Sequence, residues 1–165
     1  LIKQLAPAHG PDVVIIDSAD DGTRAAQASL VHDMGLSLNE SLPLVADVLN
    51  RYGLCVHTRI IASGKLTNPG QVAQAMCAAA DLVVSAGGFM LALGCVHKLQ
   101  CYKNTCPSGI ITRHPRLQGP LVVSDMVERV VRYARTLVKE WRQLLILSGL
   151  LGVLAAPKAM SPSHE

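Results

Sequence analysis

T-R-I-I-A-S-G-K-L-T-N-P-G-Q-V-A-Q-A-M-C-A-A-A, residues 58–80, spells one strand, one loop and one helix in order. The run at 58–62 is short, apolar and β-branched, so it reads as a buried strand rather than a helix. Asn68 then Pro69 make a cap followed by a first-turn proline, and the helix is expected over 70–80. Ser63, Gly64 and Lys65 open the loop between them.

The same unit recurs on both sides. Upstream, V-V-I-I-D at 13–17 reads as a strand buried on both faces. The loop D-S-A-D-D-G-T-R follows, and a helix starts at Ser37 or Asn39 and runs to Tyr52. Leu38, Leu42, Val45 and Leu49 share its inner face, and Gly53 sits where a C-cap belongs. Pro43 is tolerable only in the first turn. Downstream, L-V-V-S at 82–85 is the third strand, Ala86-Gly87-Gly88 its loop, and a helix from Phe89 runs into a cysteine-rich segment. After Gly109 comes a connecting stretch. A final helix spans 124–147, capped by Ser124, with Asp125 in its first turn and an apolar stripe of Val127, Val130, Val131, Ala134, Leu137 and Val138.

Buried strands alternating with helices predict an α/β fold with a parallel sheet and right-handed crossovers. Two arrangements fit, a doubly wound open sheet or part of a (β/α)8 barrel. A whole barrel takes about 250 residues, so three units cannot close one.

The 165 residues are half apolar and 16% charged, which excludes a disordered or fibrous chain. Net charge is +3, and the scattered Lys and Arg form no nucleic-acid stripe. Arg129, Arg132, Arg135, Lys139 and Arg142 read as the wet face of the last helix. The apolar stretch 144–156 is thirteen residues long, and a spanning helix needs about 20. Residues 1–148 read as one partial domain and 149–165 as a disordered tail. No secretory signal is visible, and five cysteines without a disulfide framework suit a cytoplasmic setting. The first residue is not Met, which fits an excerpt or a processed product.

Cys95, Cys101 and Cys106 form a C-x5-C-x4-C run followed by Pro107. Three soft thiolates within twelve residues suit an iron–sulfur cluster. Structural zinc prefers four ligands and tighter cysteine pairs; His97 or His57 would have to supply the fourth. The plain alternative is three buried thiols. Cys55 and Cys77 read as buried, inert thiols. Two loops with glycine, Ser63-Gly64-Lys65 and Ala86-Gly87-Gly88, each follow the carboxyl end of a strand. If these strands close a barrel, both loops converge on one phosphate, with Gly64 and Gly88 admitting backbone N–H groups and Lys65 adding charge. Glycine turns without a ligand are the alternative. No Walker A or G-x-G-x-x-G spacing is present.

Together, I-D-S-A-D-D-G-T-R-A-A from Ile16, I-A-S-G-K-L-T from Ile61, A-D-L-V-V-S-A-G-G-F-M-L-A-L-G-C from Ala80 and C-Y-K-N-T-C-P-S-G-I-I-T from Cys101 resemble the FMN-binding domain of glutamate synthase. The likeness is greater to the shorter glutamate-synthase-like proteins without a fused glutaminase, and it covers about residues 10–145. The resemblance implies a (β/α)8 barrel of which this chain holds the last three units. It implies a [3Fe–4S] cluster on Cys95, Cys101 and Cys106, and an FMN phosphate corner at Ser63, Gly64, Lys65, Gly87 and Gly88. The implied reaction reduces 2-iminoglutarate, formed from 2-oxoglutarate and ammonia, to L-glutamate, with an external electron donor. No catalytic residue is assigned.

The departures bear on activity. The family's loop D/E-G-G-T-G-A-A/S-P stands here as Asp20-Asp21-Gly22-Thr23-Arg24-Ala25-Ala26-Gln27, with two glycines replaced by Asp21 and Arg24. Where φ must be positive, each replacement costs on the order of 1 kcal/mol or more. Gly87 stands where the shorter proteins often carry arginine. The upstream barrel half and the glutaminase nucleophile are missing from the sequence. Three readings remain: an oxidoreductase fragment that works with the rest of its barrel, a truncated non-catalytic relative that binds a cluster or phosphate, and a small electron-transfer protein.

Overall fold

The computed structural model describes residues 10–19, 34–119 and 121–149. Three strands, β1 (Val13–Asp17), β2 (Arg59–Ser63) and β3 (Leu82–Val84), pair in parallel in sequential order. Ile15, Ile61 and Leu82 align across the sheet, as do Ile16, Ala62 and Val83. Helix α1 (Leu38–Arg51) packs on β1 and β2, and α2 (Pro69–Cys77) packs on β3. Helix α3 (Ala86–Ala92) and the long C-terminal α5 (Val123–Leu147) lie against each other, and α5 also covers α2. A short α4 (Pro115–Gln118) stands in the segment expected to be purely connecting.

One apolar cluster holds these elements together. Ile16, Ile60 and Ala62 from the sheet meet Leu38, Leu42, Ala46 and Leu49 of α1 and Val72 and Ala75 of α2. Leu137 and Trp141 of α5 close its edge. Ile60 and Ala62 are completely buried. The other face of the same strands is open: Ile15 is 64% exposed and Leu82 57%, with Val13 and Val84 also exposed. The expectation that β1 is buried on both faces is therefore corrected. Side chains alternate along a strand, the helices cover one face, and no layer covers the other among the described residues.

The local start signals act as the sequence predicts in α1 and α2. Ser37 and Glu40 form a reciprocal capping box, with the Ser37 N–H donating to the Glu40 carboxylate at 3.0 Å. Gly53, at φ +67, follows the end of α1. Asn68 accepts from the Gln71 N–H at 2.9 Å, with Pro69 at N1. At the amino ends of the strands, the Asp81 carboxylate accepts from the Ile60 N–H at 2.8 Å and pairs with Arg59 at 3.1 Å.

Several expectations shift. Pro43 lies in the second turn of α1, where it leaves the exposed Asn39 carbonyl without its helical donor. Helix α2 ends at Cys77 rather than Ala80. Ala86, Gly87 and Gly88 form the first turn of α3, not a loop, and α3 stops at Ala92 before the cysteines. Helix α5 is capped by Val122, and Ser124 lies inside it. Val127, Val131 and Val138 are exposed, so the inward stripe runs instead through Val130, Tyr133, Ala134, Leu137, Trp141 and Leu145. The altered loop at 20–27 and the tail beyond 149 lie outside the described residues. No helix among the described residues is long and apolar enough to cross a membrane.

Two substitutions separate the faces of the sheet. Leu42→Ala in the buried cluster should cost about 2–5 kcal/mol in denaturant unfolding. Ile15→Thr with Leu82→Thr should leave helical circular dichroism unchanged and reduce both light scattering and binding of an apolar dye. Equal loss of helix signal in both variants would contradict the one-sided core.

Candidate functional site

The cysteine segment leaves α3 through Gly94, at φ +101, and folds back on itself by left-handed turns at His97, Leu99 and Asn104. Cys95, Cys101 and Cys106 all line one recess, together with His97, Lys98, Gln100, Pro107 and Ser108. His57 stands before β2 and does not line it. Cys106 is buried, and Cys95 and Cys101 are half-buried. Among the described residues, no three His, Cys, Asp or Glu side chains converge closely enough to hold a metal ion as they stand. The segment therefore brings the three thiols to one wall without drawing the sulfurs together.

Cys106 has the most developed surroundings. Burial pushes its thiol pKa up. Hydrogen bonds from the Ser108 hydroxyl, 3.3 Å from Sγ, and from the N–H groups of Ile111, Ser108 and Ile110 outweigh burial and hold the pKa below its ordinary value. The C-P-S-G-I-I turn thus wraps its own sulfur with donors. Such donors favour a thiolate, and donors to sulfur also tune a cluster's potential. The chemistry of these donors suits a thiolate-ligated iron–sulfur group, which would need the three sulfurs drawn closer together than they stand.

Residues that sequence reading did not single out hold this turn in place. Asn104 accepts from the Arg113 N–H at 2.8 Å through its side chain, and its carbonyl accepts from the Thr112 hydroxyl at 2.7 Å. Gln118 of α4 donates to the Thr112 carbonyl at 2.6 Å. Gly109, at φ +73, passes so close to the Leu117 carbonyl that a Cβ there would collide with it.

The second group lies at the carboxyl ends of β2 and β3. Ser63 is buried and pairs in register with Val84, so the Ser63-Gly64-Lys65 loop and the start of α3 are neighbours. Lys65 is left-handed at φ +41. Each glycine has a neighbour that takes the space of its missing Cβ: Ser18 and Leu38 at Gly64, Tyr133 and Ser85 at Gly88. Ser18 is 4% exposed, and its hydroxyl has no hydrogen-bond partner among the described residues. The Ser85 hydroxyl does not cap α3; it donates to the Leu66 carbonyl instead. The Ser18 hydroxyl beside Gly64 and the adjacent lysine are groups whose chemistry suits a phosphate. Asp17 ends β1 exposed, and His114 precedes α4, also exposed. Cys77 is exposed and Cys55 half-buried, which corrects the expectation that both are buried. His32 lies outside the described residues.

Comparison with known proteins places these features in context. Residues 1–150 match the family described as a conserved region in glutamate synthase. The glutamate synthase large subunit-like protein YerD of Bacillus subtilis is 38% identical over 154 residues, covering 93% of this chain and 28% of that protein. An archaeal glutamate synthase [NADPH] of Methanocaldococcus jannaschii is 31% identical, covering 84% of this chain and 27% of that protein. The glutamate synthase [NADPH] large chain of Azospirillum brasilense is 29% identical, covering 81% of this chain and 9% of that protein. The chain thus spans little more than a quarter of the length of these relatives, or less.

The donors around Cys106 make a titration prediction. With the other four cysteines replaced by serine, Ser108→Ala should raise the pH at which thiolate absorbance develops. The folded pKa is depressed, so the thiolate adds stability as pH rises through it, fully above the unfolded value, and this is lost as pH falls. Removing the hydroxyl should flatten that pH dependence in denaturant melts. An unmoved titration would show that the Ser108 hydroxyl does not act on the thiol.

Proposed function

This chain belongs to the glutamate synthase family, and we propose that it supplies the last three strand–helix units of a (β/α)8 barrel within residues 1–148. Sequential parallel strands and, among the described residues, helices on one face only with a bare apolar face opposite support this reading. A doubly wound sheet would carry helices on both faces. The reaction proposed for the completed protein is reductive formation of L-glutamate from 2-oxoglutarate and ammonia through 2-iminoglutarate. The free cysteine set suits a cytoplasmic setting.

The observation that carries the proposal is the single recess shared by Cys95, Cys101 and Cys106. These thiols would hold a [3Fe–4S] cluster, and Ser63, Gly64, Lys65, Gly87 and Gly88 would hold the phosphate of FMN. When bound, the cluster and the flavin supply the electron and hydride chemistry. The chain's own residues bind and orient. Thiolates at the recess would ligate, and the donors around Cys106 lower its thiol pKa and so favour the ionised sulfur. Lys65 offsets phosphate charge, and the first-turn amides of α3 add donors. The substrates and the electron donor are partners of the whole protein, and the rest of the barrel, in the same chain or supplied by a partner chain, completes the fold.

For the chain by itself, the exposed apolar face and the two sheet edges left open among the described residues favour the non-catalytic reading. Supplied with FMN, 2-oxoglutarate, ammonia and a reduced donor, it should form no L-glutamate; steady turnover by a monomer would refute this. Anaerobic reconstitution should give a brown protein with bound iron, and replacement of Cys95, Cys101 and Cys106 by serine should abolish it. Unchanged iron in that triple variant would overturn the cluster assignment.

A further inference from the structure

Tyr133 of α5 reaches into the corner where the loops after β2 and β3 meet. Its hydroxyl donates to the Thr67 carbonyl at 3.0 Å and lies 3.1 Å from the Ser85 hydroxyl. Ser85 in turn donates to the Leu66 carbonyl. The Tyr133 ring stands edge-on to Phe89, with centroids 5.2 Å apart. The phenol fills the place that a Cβ on Gly88 would need. One side chain thereby contacts the β2–α2 loop, the residue before α3, and two residues of α3 itself.

We propose that Tyr133 is a positioning residue for the phosphate corner, fixing the β2–α2 loop and the first turn of α3 in one register so that both face the same group. This rests on the FMN reading above. Nothing in the sequence motifs marks Tyr133; it follows the cysteine segment by 27 positions and arrives on a different helix. Its phenol ring is held by Phe89 whether or not the hydroxyl is present, so removal of the hydroxyl alone isolates the polar tie. The constraint also assigns a reason to Gly88: a side chain there would expel Tyr133 before it touched any ligand.

The test uses the chain completed in frame with the upstream part of the Bacillus subtilis relative, titrated with FMN and with riboflavin, which lacks the phosphate. Tyr133→Phe should weaken FMN binding about fivefold to tenfold, the value of one net hydrogen bond, and leave riboflavin unchanged. Phe89→Leu, which keeps the hydroxyl, should leave the FMN-to-riboflavin ratio unchanged. Equal weakening of both flavins, or no change in either, would overturn the role of Tyr133. If the unaltered protein does not prefer FMN to riboflavin, the phosphate reading fails instead. The tie is then judged by amide hydrogen exchange at Thr67 and Asn68, which should quicken in Tyr133→Phe; unchanged exchange would overturn it.

Discussion

Everything in this chain depends on one geometric constraint: parallel neighbours in sequential order must be joined by connections that return over the sheet. With β1, β2 and β3 in that order, the helices gather on one face and the central strand is sealed beneath them. Ile60 and Ala62 are the completely buried residues of that strand, and α1, α2 and α5 are organised around them. The same constraint leaves Val13, Ile15, Leu82 and Val84 bare. It also brings every strand's carboxyl end to one edge, which places Gly64 and Ser85 side by side and hangs the cysteine segment between α3 and α5.

The strands were legible because β-branched runs bounded by turn residues have few alternatives; each observed strand lies within one residue of its expected bounds. Their exposure was not legible, since V-V-I-I-D looks the same whether one face or both are covered. The glycines at 87 and 88 read as loop because Gly disfavours helix. At Gly88, close packing under Tyr133 outweighs that preference. On α5 two adjacent apolar stripes compete at helical spacing. The aromatic pair Tyr133 and Trp141 goes inward, and Val127, Val131 and Val138 are left outside. Tertiary contact, not periodicity, chose between them.

The site divides the same way. Cysteine spacing identified the three thiols that share the recess, because ligands for one group must lie within a short segment. The lashing of that segment was invisible. Asn104 adopts a left-handed conformation that suits its side chain, and it then serves Thr112 and Arg113, eight and nine residues on. Such a network has no periodic signature, and each member is an ordinary polar residue in isolation. Gly109 was likewise readable only as a turn, although its φ and the approach of Leu117 both require glycine.

The two corner glycines have a physical reason for being glycine that involves no ligand. A glycine beside a proposed phosphate suggests room left for the ligand. Here Ser18 and Leu38 take that room at Gly64, and Tyr133 takes it at Gly88. Enlarging either glycine would therefore displace protein neighbours first, and a loss of ligand affinity in such variants would report on support rather than contact. Removing the Tyr133 hydroxyl adds no bulk, so its loss reports on the polar tie alone. The corner is thus a packed unit, and α5, the helix after the cysteine segment, is the element that closes it.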